Sequence, residues 1–173
     1  GIDWTARSMV ASSWSCVFWA ASLARFIAGS SGLFSYSTNG TSWTDVTLSS
    51  PTGTWKRLAA SSTLLVAVGV NAYMYSQDGI AWISGVMPTA TWNSITWSEE
   101  LGLFVAVGES GTSGYIATSS NGYTWTVRQT FSDTVFKDVA WSSTYQCFVA
   151  VAGSVSNQNV VYISATGLSW SLP

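Results

Sequence analysis

A seven-residue phrase recurs along this chain, and its spacing limits what the chain can become. Full copies read Ser37-Thr38-Asn39-Gly40-Thr41-Ser42-Trp43, Ser76-Gln77-Asp78-Gly79-Ile80-Ala81-Trp82, Ser119-Ser120-Asn121-Gly122-Tyr123-Thr124-Trp125 and Ser164-Ala165-Thr166-Gly167-Leu168-Ser169-Trp170. A shortened copy, Gly1-Ile2-Asp3-Trp4, opens the sequence. The Trp positions 4, 43, 82, 125 and 170 lie 39, 39, 43 and 45 residues apart. Periods of roughly 40 residues belong either to small four-stranded sheets repeated about an axis or to stacked helix pairs.

The contents of each period choose between these. Each holds a first segment (Trp14–Trp19, Trp55–Ala60, Trp92–Trp97, Phe136–Trp141) and a second (Phe26–Gly29, Leu65–Gly69, Phe104–Gly108, Phe148–Val151). A third (Leu33–Tyr36, Ala72–Tyr75, Tyr115–Thr118, Val160–Ile163) runs into the phrase, and the phrase Trp starts a fourth. The segments are short, rich in β-branched and aromatic residues, and separated by Gly, Ser, Asn or Asp, which is the pattern of strands and hairpins. No window sustains an apolar period of 3.6, so helix pairs are excluded. The expected fold is all-β: a β-propeller of four-stranded antiparallel blades, strands A to D, forming one domain over residues 1–173. Its repeats run approximately over 5–43, 44–82, 83–125 and 126–170. Asx followed by Gly favours a tight turn with positive φ. Asn39, Gly40, Trp43, Asp78, Gly79, Trp82, Asn121, Gly122, Trp125, Gly167 and Trp170 are therefore expected to be structural, the Trp rings pinning turn to blade.

These turns resemble the Asp-box, or BNR-type, repeats of β-propellers, although here Gly follows the Asx directly. The order Trp-x-x-Ile-x-Trp, Phe-Val-Ala-Val-Gly, Ser-x-Asp-Gly-x-x-Trp is similar to the repeats of photosystem II assembly factor-like propellers. The resemblance covers the whole chain and implies fold more than function, because one scaffold hosts hydrolases, lectins and assembly factors. Sialidases of this type need three arginines converging on a carboxylate. Arg7, Arg25, Arg57 and Arg128 lie at different strand phases, so a sialidase-like hydrolase, or a fragment of one, is a minor alternative.

Composition removes other classes. Only 8% of residues are charged, six Lys and Arg stand against eight Asp and Glu, and there is no His. Nucleic-acid binding, which draws on many cationic contacts, is not expected; nor is membrane insertion, since no apolar run approaches a spanning length. The commonest general base and metal ligand is missing, and no catalytic residue, metal or cofactor is expected. Glu99-Glu100 is the one adjacent carboxylate pair and reads as a polar hairpin rather than a glycosidase pair. Cys16 and Cys147 read as inert core thiols, with a disulfide as the alternative if the ring closes. Asn39-Gly40-Thr41 matches a glycosylation sequon but sits where the turn needs Asn.

First, second and third segments number four, while the phrase Trp occurs five times. Two readings follow. The fourth segment of an N-terminal copy, Trp4 to Met9, completes the last blade beside Val160–Ile163 in a ring closed alone or through a homo-oligomer; or the chain is part of a larger propeller. Absence of an initiator Met and of a signal pattern is read as cutting or processing. The D–A and B–C loops should share one face, and the B–C loops differ most between repeats, as function on a constant scaffold requires. Candidate ligand-binding residues there are Trp14, Trp55, Trp92, Phe136, Asn71, Glu109, Asn157 and Asn159. The four aromatics either plug the axis or offer stacking planes. The functional expectation is a non-catalytic, lectin-like or protein-binding module, with a glycan or protein as partner. A surface of Ser, Thr, Gly and Asn with little charge places it in an extracellular or virion-associated assembly. The alternative is an assembly factor docking a partner protein.

Overall fold

Period-two segments separated by turn residues pair into hairpins because each buries one face and leaves its backbone groups to its neighbours. The computed structural model describes residues 3, 5–48, 53–153 and 159–173. Four antiparallel sheets follow one another along it. Blade 1 holds β1 (Cys16–Ala20), β2 (Arg25–Gly29), β3 (Leu33–Ser37) and β4 (Thr44–Thr47). Blade 2 holds β5 (Trp55–Ala60), β6 (Leu65–Gly69), β7 (Ala72–Ser76) and β8 (Ile83–Ser84). Blade 3 holds β9 (Thr91–Ser98), β10 (Leu103–Ser110), β11 (Ser113–Ser119) and β12 (Thr126–Phe131). Blade 4 holds β13 (Val135–Ser142), β14 (Cys147–Gly153) and β15 (Val160–Ser164).

The expected completion of blade 4 by residues 4–9 is not what the chain does. Ser171 occupies the place beside β15: its N–H donates to the Ile163 carbonyl at 3.1 Å and its carbonyl accepts from the Ile163 N–H at 2.9 Å. Residues 5–10 form no strand, and Trp4 lies outside the described residues. The physical reason is proximity. Residues 165–170 form the same tight turn as in the other repeats, which returns the chain onto β15 at once, whereas the N-terminal segment would have to cross from the first blade.

The core lies between blades. Ile27 and Phe34 of blade 1 pack on Trp55, Leu58, Leu65, Ala67 and Met74 of blade 2. Val66, Val68 and Tyr73 of blade 2 pack on Trp92, Ile95, Phe104 and Ala106 of blade 3. Val105, Val107 and Ile116 of blade 3 pack on Phe136, Val139, Phe148 and Ala150 of blade 4. Among the described residues no comparable interface joins blade 4 to blade 1. Ala67, Ala106 and Ala150 sit fully buried at the centre of each second strand, where a larger side chain would hold the sheets apart.

An aromatic stack recurs within blades. Trp19, Trp97 and Trp141 lie 4.6, 4.3 and 4.5 Å from Phe26, Phe104 and Phe148. Trp43, Trp125 and Trp170 stand 6.4, 6.3 and 6.1 Å from the same phenyls. Blade 2 has Ala60 and Leu65 instead, and its Trp82 stacks at 4.1 Å on Phe34 of blade 1. Trp82 thus bridges blades 2 and 1, and Trp125 also reaches the neighbouring blade, its ring 5.9 Å from Tyr73.

Candidate functional site

The end of each blade that carries the C–D turns is built on one plan four times. In blade 2 the Ser76 hydroxyl accepts from the Gly79 N–H at 2.8 Å, and Asp78 Oδ1 accepts from Ile80 and Ala81 N–H, both at 2.8 Å. Asn39 does the same for Thr41 and Ser42, at 2.9 Å each, and Asn121 for Tyr123 and Thr124, at 2.9 and 3.0 Å. Thr166 keeps one such bond, from Leu168 N–H at 3.2 Å. Gly40, Gly79, Gly122 and Gly167 all take φ between 72° and 75°, the left-handed region that glycine enters without cost. Trp43, Trp82 and Trp170 each donate their indole N–H to the carbonyl of that glycine. In blade 3 the Gly122 carbonyl accepts from Tyr73 of blade 2 at 2.6 Å. Burial pushes the Tyr73 phenol up to about 12, so it stays a donor. Burial raises the Asp78 carboxyl, but the N–H groups of Ile80 and Ala81 and the Ser76 hydroxyl outweigh it and hold the group below its ordinary range. The Ser hydroxyls, the Asx side chains and three of the four indoles at this end are committed to the turns, while the Trp125 N–H is buried without a partner.

The opposite end gathers the D–A and B–C loops, as their order in the chain requires. Gly32 N–H donates to Gly53 carbonyl at 3.0 Å, Asn71 N–H to Ala90 carbonyl at 3.1 Å, and Thr134 N–H to Thr112 carbonyl at 3.1 Å. Each bond joins the B–C loop of one blade to the loop entering the next. Between blades 2 and 3 this junction opens into a cleft of about 280 Å³ lined by Asn71, Tyr73, Ser84, Val86, Met87 and Trp92 among others. No charged side chain lines it. Asn71 holds φ +51°, a conformation that asparagine tolerates better than most residues. The cleft offers an amide, a hydroxyl, loop backbone and apolar side chains, a combination suited to an uncharged peptide segment.

The predicted site residues divide. Trp55 is buried and stacks on Phe34 at 5.1 Å. Phe136 is buried against Phe131 and Tyr162 at 5.2 and 5.6 Å. Trp92 is buried too, its N–H donating to Pro88 carbonyl at 3.1 Å. These three rings lie in the packing between blades and offer no exposed planes for stacking. The aromatic pattern could not separate these outcomes, because both need large apolar side chains at the same phase. Trp14 stays half-buried and borders a groove on blade 1 with Met9 and Val17. Glu109 faces Lys137 at 3.7 Å. Asn159 borders a groove on blade 4 with Lys137 and Val161. Asn157 lies outside the described residues.

One cluster was not foreseen. Two positions after the aromatic of β5, β9 and β13 stand Arg57, Ser94 and Asp138. Arg57 donates to Asp138 at 2.8 Å, and Ser94 donates to the other oxygen of the same carboxylate. A bulge near the start of each strand re-aims these side chains. Burial raises the Asp138 carboxyl, but bonds from Ser94 and Arg57 and the charge of Arg57 bring it below its usual range. The pair ties blade 2 to blade 4 across blade 3. The spacing of residues 57, 94 and 138 after their aromatics was the signal that could have found it.

Other chemistry is occupied. Arg25 donates to the Asp78 carbonyl and lies over Tyr36, and Arg128 donates to Thr118. Glu99 accepts from the Trp97 indole at 2.7 Å and Glu100 from that of Trp141 at 2.8 Å. Cys16 and Cys147 are free thiols, that of Cys16 raised by burial. Among the described residues no three His, Cys, Asp or Glu are grouped to hold a metal, and no helix is long and apolar enough to cross a membrane.

No protein-family model matches this sequence, and no curated protein does. Solved structures do match. A chain of the crystal structure of the nidogen/laminin complex aligns with TM-score 0.66 and 9% identity over 91% of this chain and 61% of that one. A chain of the mitotic checkpoint complex gives 0.66 and 14% over 91% and 50%, and the Dos1 propeller 0.71 and 17% over 93% and 46%. This chain spans less than two thirds of each of those chains. The likeness, with four consecutive antiparallel sheets, makes the fold a β-propeller.

Proposed function

We propose that this chain is a non-catalytic recognition module that holds a protein partner on the D–A and B–C loop face, within an extracellular or virion-associated assembly. The cleft between Asn71 and the 84–88 loop carries the reading: it lies on the face where the repeats differ, and it combines amide, hydroxyl and apolar groups with no charged side chain. Two of the similar structures are of protein assemblies, the nidogen/laminin and mitotic checkpoint complexes. The resemblance to Asp-box repeats is compatible with this, the four turns having the hydrogen bonds such a motif needs. The dispersed arginines and the indole-capped Glu99 and Glu100 count against the hydrolase alternative. Scarcity of charge supports the extracellular or virion setting over that of an intracellular assembly factor. A glycan has fewer stacking planes here than the sequence offered, since three of the four aromatics are buried.

Panning random displayed peptides against the chain tests this. Val86 is 89% exposed and borders the cleft, so Val86→Arg leaves folding intact while placing a charge at the site. Enriched peptides should lose at least tenfold in affinity for Val86→Arg. Binding that ignores the substitution overturns the site. Glycan-array hits that survive Val86→Arg but vanish with Trp14→Ala replace the protein reading with a lectin reading.

A further inference from the structure

Within the seven-residue phrase the position after the glycine is not fixed by the turn, and it reads Thr41, Ile80, Tyr123 and Leu168. The residue just before the phrase reads Tyr36, Tyr75, Thr118 and Ile163. The turn of blade 3 lies against the third strand of blade 2, and there Tyr123 meets Tyr75 with ring centroids 4.7 Å apart and planes at 83°. The same two positions hold Tyr36 with Ile80 for blades 1 and 2, and Thr118 with Leu168 for blades 3 and 4. Of these three combinations, the one between blades 2 and 3 supplies two rings. Tyr123 is 43% exposed, so its ring is not spent on the core.

Tyr123 borders two hollows at once. One, of about 330 Å³, has Tyr75, Gln77, Asp78 and Ile83 around it. The other, of about 300 Å³, lies between the A–B hairpin of blade 2 and the turn of blade 3, with Ser62, Thr63, Asn121, Trp97 and Phe104 on its walls. The turns leave polar atoms over for a ligand. Ser76, Ile80 and Ala81 bond to Asp78 Oδ1, and Ser119, Tyr123 and Thr124 bond to the Asn121 side-chain oxygen, so the turn bonds use neither Asp78 Oδ2 nor Asn121 Nδ2. Both residues are exposed, as are Ser62, Thr63 and Gln77. An aromatic plane ringed by hydroxyl, amide and carboxylate groups suits a pyranose, whose C–H face buries against the ring while its rim of hydroxyls both donates and accepts. A proline-rich peptide would need apolar slots beside the ring, where this chain places Ser62, Thr63, Ser120 and Asn121. No cationic side chain lines either hollow and Asp78 lines one, which disfavours an anionic sugar.

We propose that this place at the turn end of blades 2 and 3 is a binding site for a neutral oligosaccharide, with one sugar unit on each side of Tyr123. It lies at the end opposite the loop face and stands independently of the function proposed above. The test is an array of neutral oligosaccharides of glucose, galactose, mannose and N-acetylglucosamine, with sialylated and uronate-containing glycans and proline-rich peptides beside them, followed by calorimetry on the hits. Tyr123→Thr installs the residue that blade 1 carries at the same place in its turn, so the fold is kept, which circular dichroism checks. Ser62→Trp, at an exposed hairpin position, closes the second hollow without touching the turn. A neutral oligosaccharide should bind the native chain, and its affinity should fall at least tenfold in each variant. Tyr123→Phe, which keeps the ring, and Val86→Arg, in the loop cleft, should leave it within twofold. A disaccharide should bind at least tenfold more tightly than its monosaccharide. An array without a neutral glycan hit, binding that ignores both Tyr123→Thr and Ser62→Trp, binding abolished by Val86→Arg, equal affinity for mono- and disaccharide, or a preference for acidic glycans each overturns the proposal. Proline-rich peptides that bind in place of glycans and are lost with Tyr123→Thr overturn it in favour of a peptide groove.

Discussion

The two ends of a blade solve different problems with the same backbone. At the turn end, four repeats converge on one hydrogen-bonded arrangement: a buried Ser hydroxyl, an Asx or Thr acceptor, a glycine at positive φ and an indole over it. At the loop end, a backbone bond between the B–C loop and the next blade's entry recurs at the three junctions between successive blades. Side chains there are free to differ, and the cleft exists between blades 2 and 3 because they do. Constancy marks what the sheet needs to turn; variation marks where the surface is available for recognition.

Glycine substitutions separate these ends most sharply. Gly122 and Gly111 have φ of +72° and +60°, so alanine is strained at both. A Cβ on Gly122 would also meet Leu64 at 2.4 Å and Val66 at 3.2 Å, whereas one on Gly111 meets nothing within 4 Å. Gly122→Ala should cost about 3 kcal/mol in urea unfolding, combining backbone strain with overpacking, and Gly111→Ala about 1 kcal/mol from strain alone. Equal costs would mean that the surroundings of the turn contribute nothing.

Tyr73→Phe comes next. It removes the phenol that joins blade 2 to the Gly122 carbonyl and should cost about 1 to 2 kcal/mol by the same measurement, since a buried acceptor is left unpaired. A neutral result would show that the Trp125 indole swings over to that carbonyl, as Trp82 and Trp43 do in their own turns.

The smallest effect distinguishes turns from one another. Asp78 titrates below its ordinary value of 3.8 in the folded chain, whereas Asn39 and Asn121 hold the same bonds without titrating. A lowered folded value means that the contribution is present above the unfolded value and lost as pH falls through the folded one. Asp78→Asn should therefore leave stability at pH 7 nearly unchanged and flatten the acid slope below pH 4 in a series of thermal melts. An unaltered slope would assign the acid sensitivity to Asp138 and other carboxylates instead.

Much of this was legible because it is local. Ser76, Asp78, Gly79 and Trp82 lie within one turn of chain, and their hydrogen bonds need no distant partner to form. Strand order within each blade followed from hairpin connections for the same reason. The loop face was legible from connectivity, although which loops would leave a cleft was not. Burial of Trp55, Trp92 and Phe136 was illegible, since a ring at the start of a strand meets either the axis or the neighbouring blade according to how the sheets twist against each other. The Arg57–Asp138 pair depends on residues 81 positions apart and on bulges that no composition announces.

The sequence alone determined the all-β class, the four-stranded unit, the period and the chemistry of its turns, because these rest on alternation, glycine conformation and bonds between near neighbours. Tertiary structure decided which aromatics would be covered, which residues would finish blade 4, and which loops would leave a cleft. Those outcomes depend on how one sheet packs against the next, where interactions between residues far apart in the chain compete, and a local pattern carries no record of the winner.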